Sequence, residues 1–335
     1  MNRSNIYTFS ILYKLSISTI LIVFLLQIPS SLLWDRDNYL IYAERSDEII
    51  KSYTSISDLI FNDYLFLKLN SFLSNFLQSE QVISFLLFVI LSSMFFLISK
   101  YSVNTFTFTF ALVLNLLLVP ILHFELIAIR QALATILVLF ALSYLKNYKV
   151  ISVVFLIASL IHSAFFLFLL LFWLDNSFFR KFDEKKRIIL NFFVIFSIAF
   201  SYLVIAKFLG LRQVDLYSSY DAPIGGGTFI ICTFIFIYIY KYGSTQYNFL
   251  YYYTLQGLIL FLVFYFVANA SVSARLLESV LPAFLLLFAN KFRNKEVLIG
   301  FLVAIAYLYV WYNGGVYILF EVSNIQAKQF LLSYL

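Results

Sequence analysis

Apolar residues fill this chain in long runs, and charged residues collect in the gaps between them. Charge-poor windows run from about residue 9 to 34, 81 to 99, 101 to 122, 124 to 145, 150 to 174, 188 to 206, 222 to 240, 246 to 270, 274 to 290 and 297 to 320, each near the roughly 20 residues a helix needs to cross a bilayer. The pattern predicts an all-α, polytopic integral membrane protein of about ten apolar segments, organised as a single transmembrane domain over residues 1–335. The first run lacks a small-residue cleavage site, so it is expected to remain as a helix. Between the first and second runs, residues 35–80 form one sizeable hydrophilic insertion.

Composition strengthens the membrane reading. Hydrophobic residues make up 63% of the chain and charged ones 12%, against about 25% charged in a soluble domain. The single cysteine, Cys232, lies in an apolar run and reads as a small buried hydrophobe, which excludes a disulfide within the chain and a thiolate metal site. The net charge of +6 comes from basic residues between apolar runs, as in cytoplasmic loops, and implies no nucleic acid partner.

The placement of those basic residues constrains topology. If Arg3 and Lys14 start inside and every run crosses once, Lys100, Lys146 and Lys149 stay inside, but Arg180–Arg187 and Lys291–Lys295 fall outside, against the positive-inside rule. The conflict disappears if 150–174 enters and leaves by one face, as a re-entrant pair of half-helices meeting near His162. Broken backbone at membrane depth persists only where protein or a wet cavity satisfies it, so the pair is expected to place His162 beside a polar pocket. The 35–80 insertion is then extracytoplasmic. In "WDRDNYLIY" (34–42), Asp35, Asp37 and Tyr39 offer carboxylates for sugar hydroxyls and a ring face for C–H patches, although any solvated amphipathic loop offers the same.

Charges inside the runs carry more chemistry. An arginine at helix centre costs roughly 2.5 to 3.5 kcal/mol, so it is expected to face the bundle interior or a cavity and to have a partner. Arg130 lies in "FELIAIRQALATILVLF" (124–140), with Glu125 and Gln131 close in sequence and His123 seven residues earlier on roughly the same helical face. Arg275 opens the ninth run in "VSARLLESVLP" (272–282), with Glu278 one turn later, and Lys207 and Arg212 close the sixth run. Guanidinium groups are suited to bidentate phosphate binding. Set at one depth opposite an acidic, tyrosine-rich loop, they point to a polyprenyl-pyrophosphate-linked glycan. Structural alternatives stay open: Glu125 neutralising Arg130, an Arg275–Glu278 ion pair, and Lys207 snorkelling to the interface. Tyr217 and Tyr220, just before Gly225–Gly227, are placed either as a mobile lid over the sugar or as an ordinary turn.

"WDRDNYLIY", "FNDYLFLKLNSFL" (61–73), "AIRQALATILVLFALSYLKNYK" (128–149), "LIASLIHSAFFLFLL" (156–170), "DLYSSY" (215–220) and "SVSARLLESVLP" (271–282) follow one another as in the EpsG/Wzy polysaccharide polymerases. The chain resembles an O-antigen polymerase of this group over roughly residues 30–290. It departs from the group where a Gly-x-Asp pattern often precedes the first-loop tyrosine, since Trp34-Asp35-Arg36-Asp37 stands there instead.

The resemblance implies a GT-C-like glycosyltransferase in the bacterial inner membrane with its active site facing the periplasm. It would transfer a growing glycan from undecaprenyl pyrophosphate onto the non-reducing end of a new lipid-linked repeat unit. Donor and acceptor are both undecaprenyl-pyrophosphate-linked oligosaccharides, membrane lipids surround the chain, and a chain-length-regulating copolymerase is an expected partner. Arg130 and Arg275, with Lys207 and Arg212, would hold the pyrophosphate; Gln131, Glu125, Tyr39, Tyr217, Tyr220 and Glu278 would contact substrate; His162, Asp35 or Asp37 would be the general base. No metal or cofactor is implied. The residues agree, because the only histidines, His123 and His162, lie 39 positions apart; Asp35-Arg36-Asp37 is formally a D-x-D pattern open to a divalent ion, but Arg36 between the two carboxylates opposes a cation. Two other classes remain: a lipid-linked oligosaccharide flippase or exporter, which needs basic residues through the bilayer depth, and an O-antigen ligase-type glycosyltransferase.

Overall fold

The computed structural model describes residues 3–29, 32–208, 226–243, 248–268, 270–290 and 294–312. Regular structure among them is helical. In chain order the α-helices are α1 (Arg3–Leu26), α2 (Arg36–Lys51), α3 (Ile56–Phe61), α4 (Tyr64–Ser74), α5 (Ser79–Tyr101), α6 (Thr105–Leu117), α7 (Val119–Leu126), α8 (Ile129–Tyr144), α9 (Tyr148–Ile161), α10 (Phe165–Ser177), α11 (Glu184–Phe208), α12 (Gly226–Tyr242), α13 (Asn248–Val267), α14 (Ala270–Glu278), α15 (Leu281–Asn290) and α16 (Asn294–Tyr312).

Among the described residues three helices are long and apolar enough to cross a membrane: Thr8–Leu26 of α1, α5 and α13. Two bent pairs, α6–α7 at 80° and α14–α15 at 42°, raise the number to five if each is one span. Helices α8, α9 and α12 are apolar but shorter. Several of the ten expected runs are thus broken or short helices. Pro120 in the first turn of α7 explains one break, since it lacks an N–H and its ring obstructs the preceding turn. A second break overturns the expectation of one helix over 124–145. The amide of Ile127 donates to the His123 carbonyl at 2.9 Å and closes α7, and that of Ala132 donates to Ala128 at 2.8 Å and opens α8. Arg130 therefore lies in the first turn of α8, and His123 and Glu125, on α7, do not share a helical face with it.

The chain forms two compact units, one drawn from Met1–Arg45, Asn70–Ala132 and Phe284–Leu335, the other from Ser46–Leu69 and Leu133–Ala283. In the first, α1 packs on α5 and α6, and α16 on α6. Lys14 of α1 donates to the carbonyls of Ser99 (2.9 Å) and Ser102 (3.3 Å), where a cation suits the unsatisfied end of α5. Asn290, the last residue of α15, donates to the Tyr101 carbonyl at 3.4 Å. Helix α15 thus finishes at the end of the unit marked by Lys14 and Lys100.

Helices α9 and α10 belong to the second unit. Phe155 of α9 and Phe172 of α10 stack with centroids 4.9 Å apart, whereas the same stretch of continuous helix would separate them by about 25 Å. The two helices therefore fold back on each other. They contain 14 and 13 residues, too few to span the roughly 30 Å hydrocarbon core singly, and the turn begins at His162, whose extended backbone (φ −148°, ψ 115°) caps α9. Tyr253 of α13 packs its ring on Phe155 (5.9 Å) and Phe168 (5.4 Å), and its hydroxyl donates to the Ser279 carbonyl at 3.0 Å.

Close approach of α13 to the chain after α14 depends on Gly257. A Cβ there would fall 2.1 Å from Val280 Cγ2. Gly257→Ala is expected to destabilise the detergent-solubilised protein by about 1 to 3 kcal/mol through overpacking. Adding Val280→Ala should restore most of the loss in a thermal unfolding measurement.

Candidate functional site

In the first unit the chain enters α2 through Asp35, which adopts a left-handed backbone (φ 66°) that aspartate tolerates better than most residues. Asp35 Oδ1 accepts a hydrogen bond from Asn38 Nδ2 at 2.6 Å. Helical spacing then puts Arg36, Tyr39 and Ala43 on one face of α2, and all three are buried. Against this face lies the α7–α8 link. Arg36 Nη2 donates to the carbonyl of Leu126, the last residue of α7. Arg130, four residues further on, sets its guanidinium 5.8 Å from the Tyr39 ring centroid and 5.1 Å from that of Tyr42, within cation–π range. The Tyr39 hydroxyl is also hydrogen-bonded by Arg130. Burial lowers the Arg36 pKa to about 10, opposed by Tyr39 and Asp35, so the guanidinium stays charged at neutral pH.

The two arginines differ in access. Arg36 is buried, whereas Arg130 and Tyr42 are half-exposed, and Asp37 and Trp34 face outward. Tyr39 is almost wholly buried, so its ring serves the arginines and offers little surface to a sugar. Gln131, next to Arg130, is buried as well. Glu125 has no exposed surface, and both its carboxylate oxygens accept from Asn115 Nδ2, at 3.0 and 2.9 Å. Asn115 is thus the hydrogen-bond partner of Glu125, in place of the Arg130 pairing that the sequence left open.

In the second unit the tip of the α9–α10 hairpin meets the insertion. Asp63, again in the left-handed region (φ 58°), accepts from the Ser163 backbone N–H at 3.1 Å and lies 3.9 Å from His162 Nδ1. An anion suits this position, since Ser163 lies just before the N-terminus of α10. The Phe61 and Phe166 rings pack at 5.0 Å beside it. His162 thus has the polar neighbour that a broken segment was expected to require. Arg275 is half-buried on α14 and Glu278 is buried three residues later. Arg130 belongs to the first unit and Arg275 to the second. Lys207 lies in the last turn of α11, where only the backbone is described, and Arg212, Tyr217 and Tyr220 lie outside the described residues.

Sequence reasoning missed three features. Neither Arg36, which stands in sequence only between two carboxylates, nor Asp63, one acid of the 35–80 insertion, carries a sequence signal of its burial. The third is a buried network at the open end of the hairpin. Arg187 Nε donates to Asp175 Oδ1 at 2.7 Å and its Nη2 to Oδ2, while Asn191 Nδ2 donates to Asp175 Oδ1 at 2.9 Å. Gln256 Nε2 donates to Asn191 Oδ1 at 3.1 Å, and the Tyr252 ring covers the Arg187 guanidinium at 3.2 Å. The available signal was Asp175 itself, an acid at the end of an apolar run.

Helices of these lengths and this apolarity define a membrane protein that is helical throughout its described residues. The chain belongs to the EpsG family, whose model matches residues 11–330; this is a family of polymerase-type membrane proteins of polysaccharide biosynthesis. No curated protein and no solved structure matches it.

Proposed function

We propose that the chain is a surface-polysaccharide (O-antigen) polymerase, a GT-C-like glycosyltransferase of the bacterial inner membrane that needs no metal. It transfers the growing glycan from undecaprenyl pyrophosphate to the non-reducing end of a new lipid-linked repeat unit on the periplasmic side. One observation carries this reading: the Arg130 guanidinium is held against two tyrosine rings beside an acidic, partly exposed stretch, an arrangement for phosphate oxygens next to sugar. Family membership supports it independently.

In the reaction the acceptor hydroxyl attacks the anomeric carbon, the bond to pyrophosphate breaks, and the hydroxyl proton passes to a base. Pyrophosphate is already a good leaving group, so most of the catalytic work is charge stabilisation and alignment. Arg130 supplies the charge, with Arg275, Lys207 and Arg212 as further phosphate contacts. His162 is the base proposed first, because the Asp63 carboxylate, 3.9 Å from its Nδ1, favours the imidazolium that accepting the proton creates; Asp35 and Asp37 are the alternatives. Gln131, Tyr217, Tyr220 and Glu278 are proposed sugar contacts, and a chain-length-regulating copolymerase is the proposed partner.

Deleting the gene tests the reading. The surface-polysaccharide ladder should collapse to lipid core plus one repeat unit. Loss of every unit would indicate a flippase or ligase, and an unchanged ladder would remove the reading.

A further inference from the structure

Arg36 is 3% exposed, and only its Nη2 finds a partner, the Leu126 carbonyl. Its Nε and Nη1 are buried and find no hydrogen-bond acceptor among the described residues. Asp35 acts on it through space only, and the Asp35 carboxylate accepts instead from Asn38 at 2.6 Å. A buried guanidinium without an ion-pair partner is unfavourable by itself, which calls for an anion to complete it. Nε and Nη1 lie on different edges of the guanidinium, and each leaves a charged donor for an oxygen of an anion.

A second guanidinium reaches the same tyrosine. Arg36 and Tyr39 share a face of α2, and Arg130 sits 5.8 Å from the Tyr39 ring. Arg130 is also in the first turn of the 16-residue α8, where the helix dipole favours negative charge. Half-exposed Arg130 and Tyr42 give a ligand its way in.

We infer that Arg36 and Arg130 form one anion site on this face of α2, with a pyrophosphate group as its ligand, the buried arginine taking inner oxygens and Arg130 outer ones. The choice of pyrophosphate rests on the polymerase reading; the need for an anion rests on Arg36 alone.

The test is titration of the purified full chain in detergent with inorganic pyrophosphate, followed by calorimetry and by thermal unfolding. The wild type should bind and be stabilised, and undecaprenyl pyrophosphate should compete. Arg36→Gln and Arg130→Gln should each weaken binding about tenfold or more. Arg36→Lys, which keeps a donor for Leu126 but loses the planar, delocalised set of donors, should fold like the wild type and still bind weakly. Unchanged binding in Arg36→Gln overturns the inference. So does failure of both Arg36 variants to fold, which would assign the guanidinium to Leu126 alone, and failure of the undecaprenyl lipid to compete would overturn the lipid-linked ligand. An unchanged ladder in the deletion strain would instead sink the polymerase reading and leave measured pyrophosphate binding in place.

Discussion

Cells carrying Arg130→Ala are expected to display lipid core plus a single repeat unit, and cells carrying Arg130→Lys very nearly the same. Alanine removes the charge. Lysine keeps it but loses the planar fork that grips two phosphate oxygens and stacks on the Tyr39 and Tyr42 rings. Loss of one positioned electrostatic donor typically lowers a rate by about 100- to 1,000-fold, enough to stop polymerisation while leaving the first unit ligated. The readout is the gel ladder at matched membrane abundance of the variant. A near-normal ladder in Arg130→Lys would take Arg130 out of the mechanism.

Single substitutions in the Asp175–Arg187 pair should have the largest effect on folding. Both side chains are almost fully buried (1% and 5% exposed), and the pair is bidentate. Asp175→Ala or Arg187→Ala leaves an uncompensated buried charge, at a cost of about 3 to 5 kcal/mol, comparable with the whole stability of many domains. Asp175→Ala also frees the Asn191 amide, which Gln256 holds from the other side. Little folded protein should be recoverable from membranes for either single variant. The double variant Asp175→Leu/Arg187→Met should recover much of the loss, because a hydrophobic pair removes both charges at once. Equal loss in the double and single variants would mean that the Asn191–Gln256 amides, not the ion pair, hold this end of the unit.

These two positions show how far the sequence could be read. Charge-poor windows locate apolar runs but are blind to helix ends, so Pro120 and the Ile127–Ala128 break divided runs that looked continuous. The hairpin at His162 was legible because the positive-inside rule acts over the whole chain, and a single misplaced crossing inverts every later basic cluster. Arg130 stood out by being charged within an apolar run. Arg36 and Asp63 did not, since their burial arises from the insertion packing onto α7–α8 and onto the hairpin tip, contacts made 90 and 100 residues away in sequence. Arg187 was hidden by its basic neighbours. Only its partner 12 residues back distinguishes it from the solvated Lys186 beside it.

The most direct test of the polymerase account is reconstitution of the purified chain in liposomes with undecaprenyl-pyrophosphate-linked repeat units, in the presence of EDTA. The account predicts chains of several repeat units, with release of undecaprenyl pyrophosphate, and no elongation by Arg130→Ala. Repeat units that remain single while the wild-type chain is folded, with or without divalent metal, would contradict it.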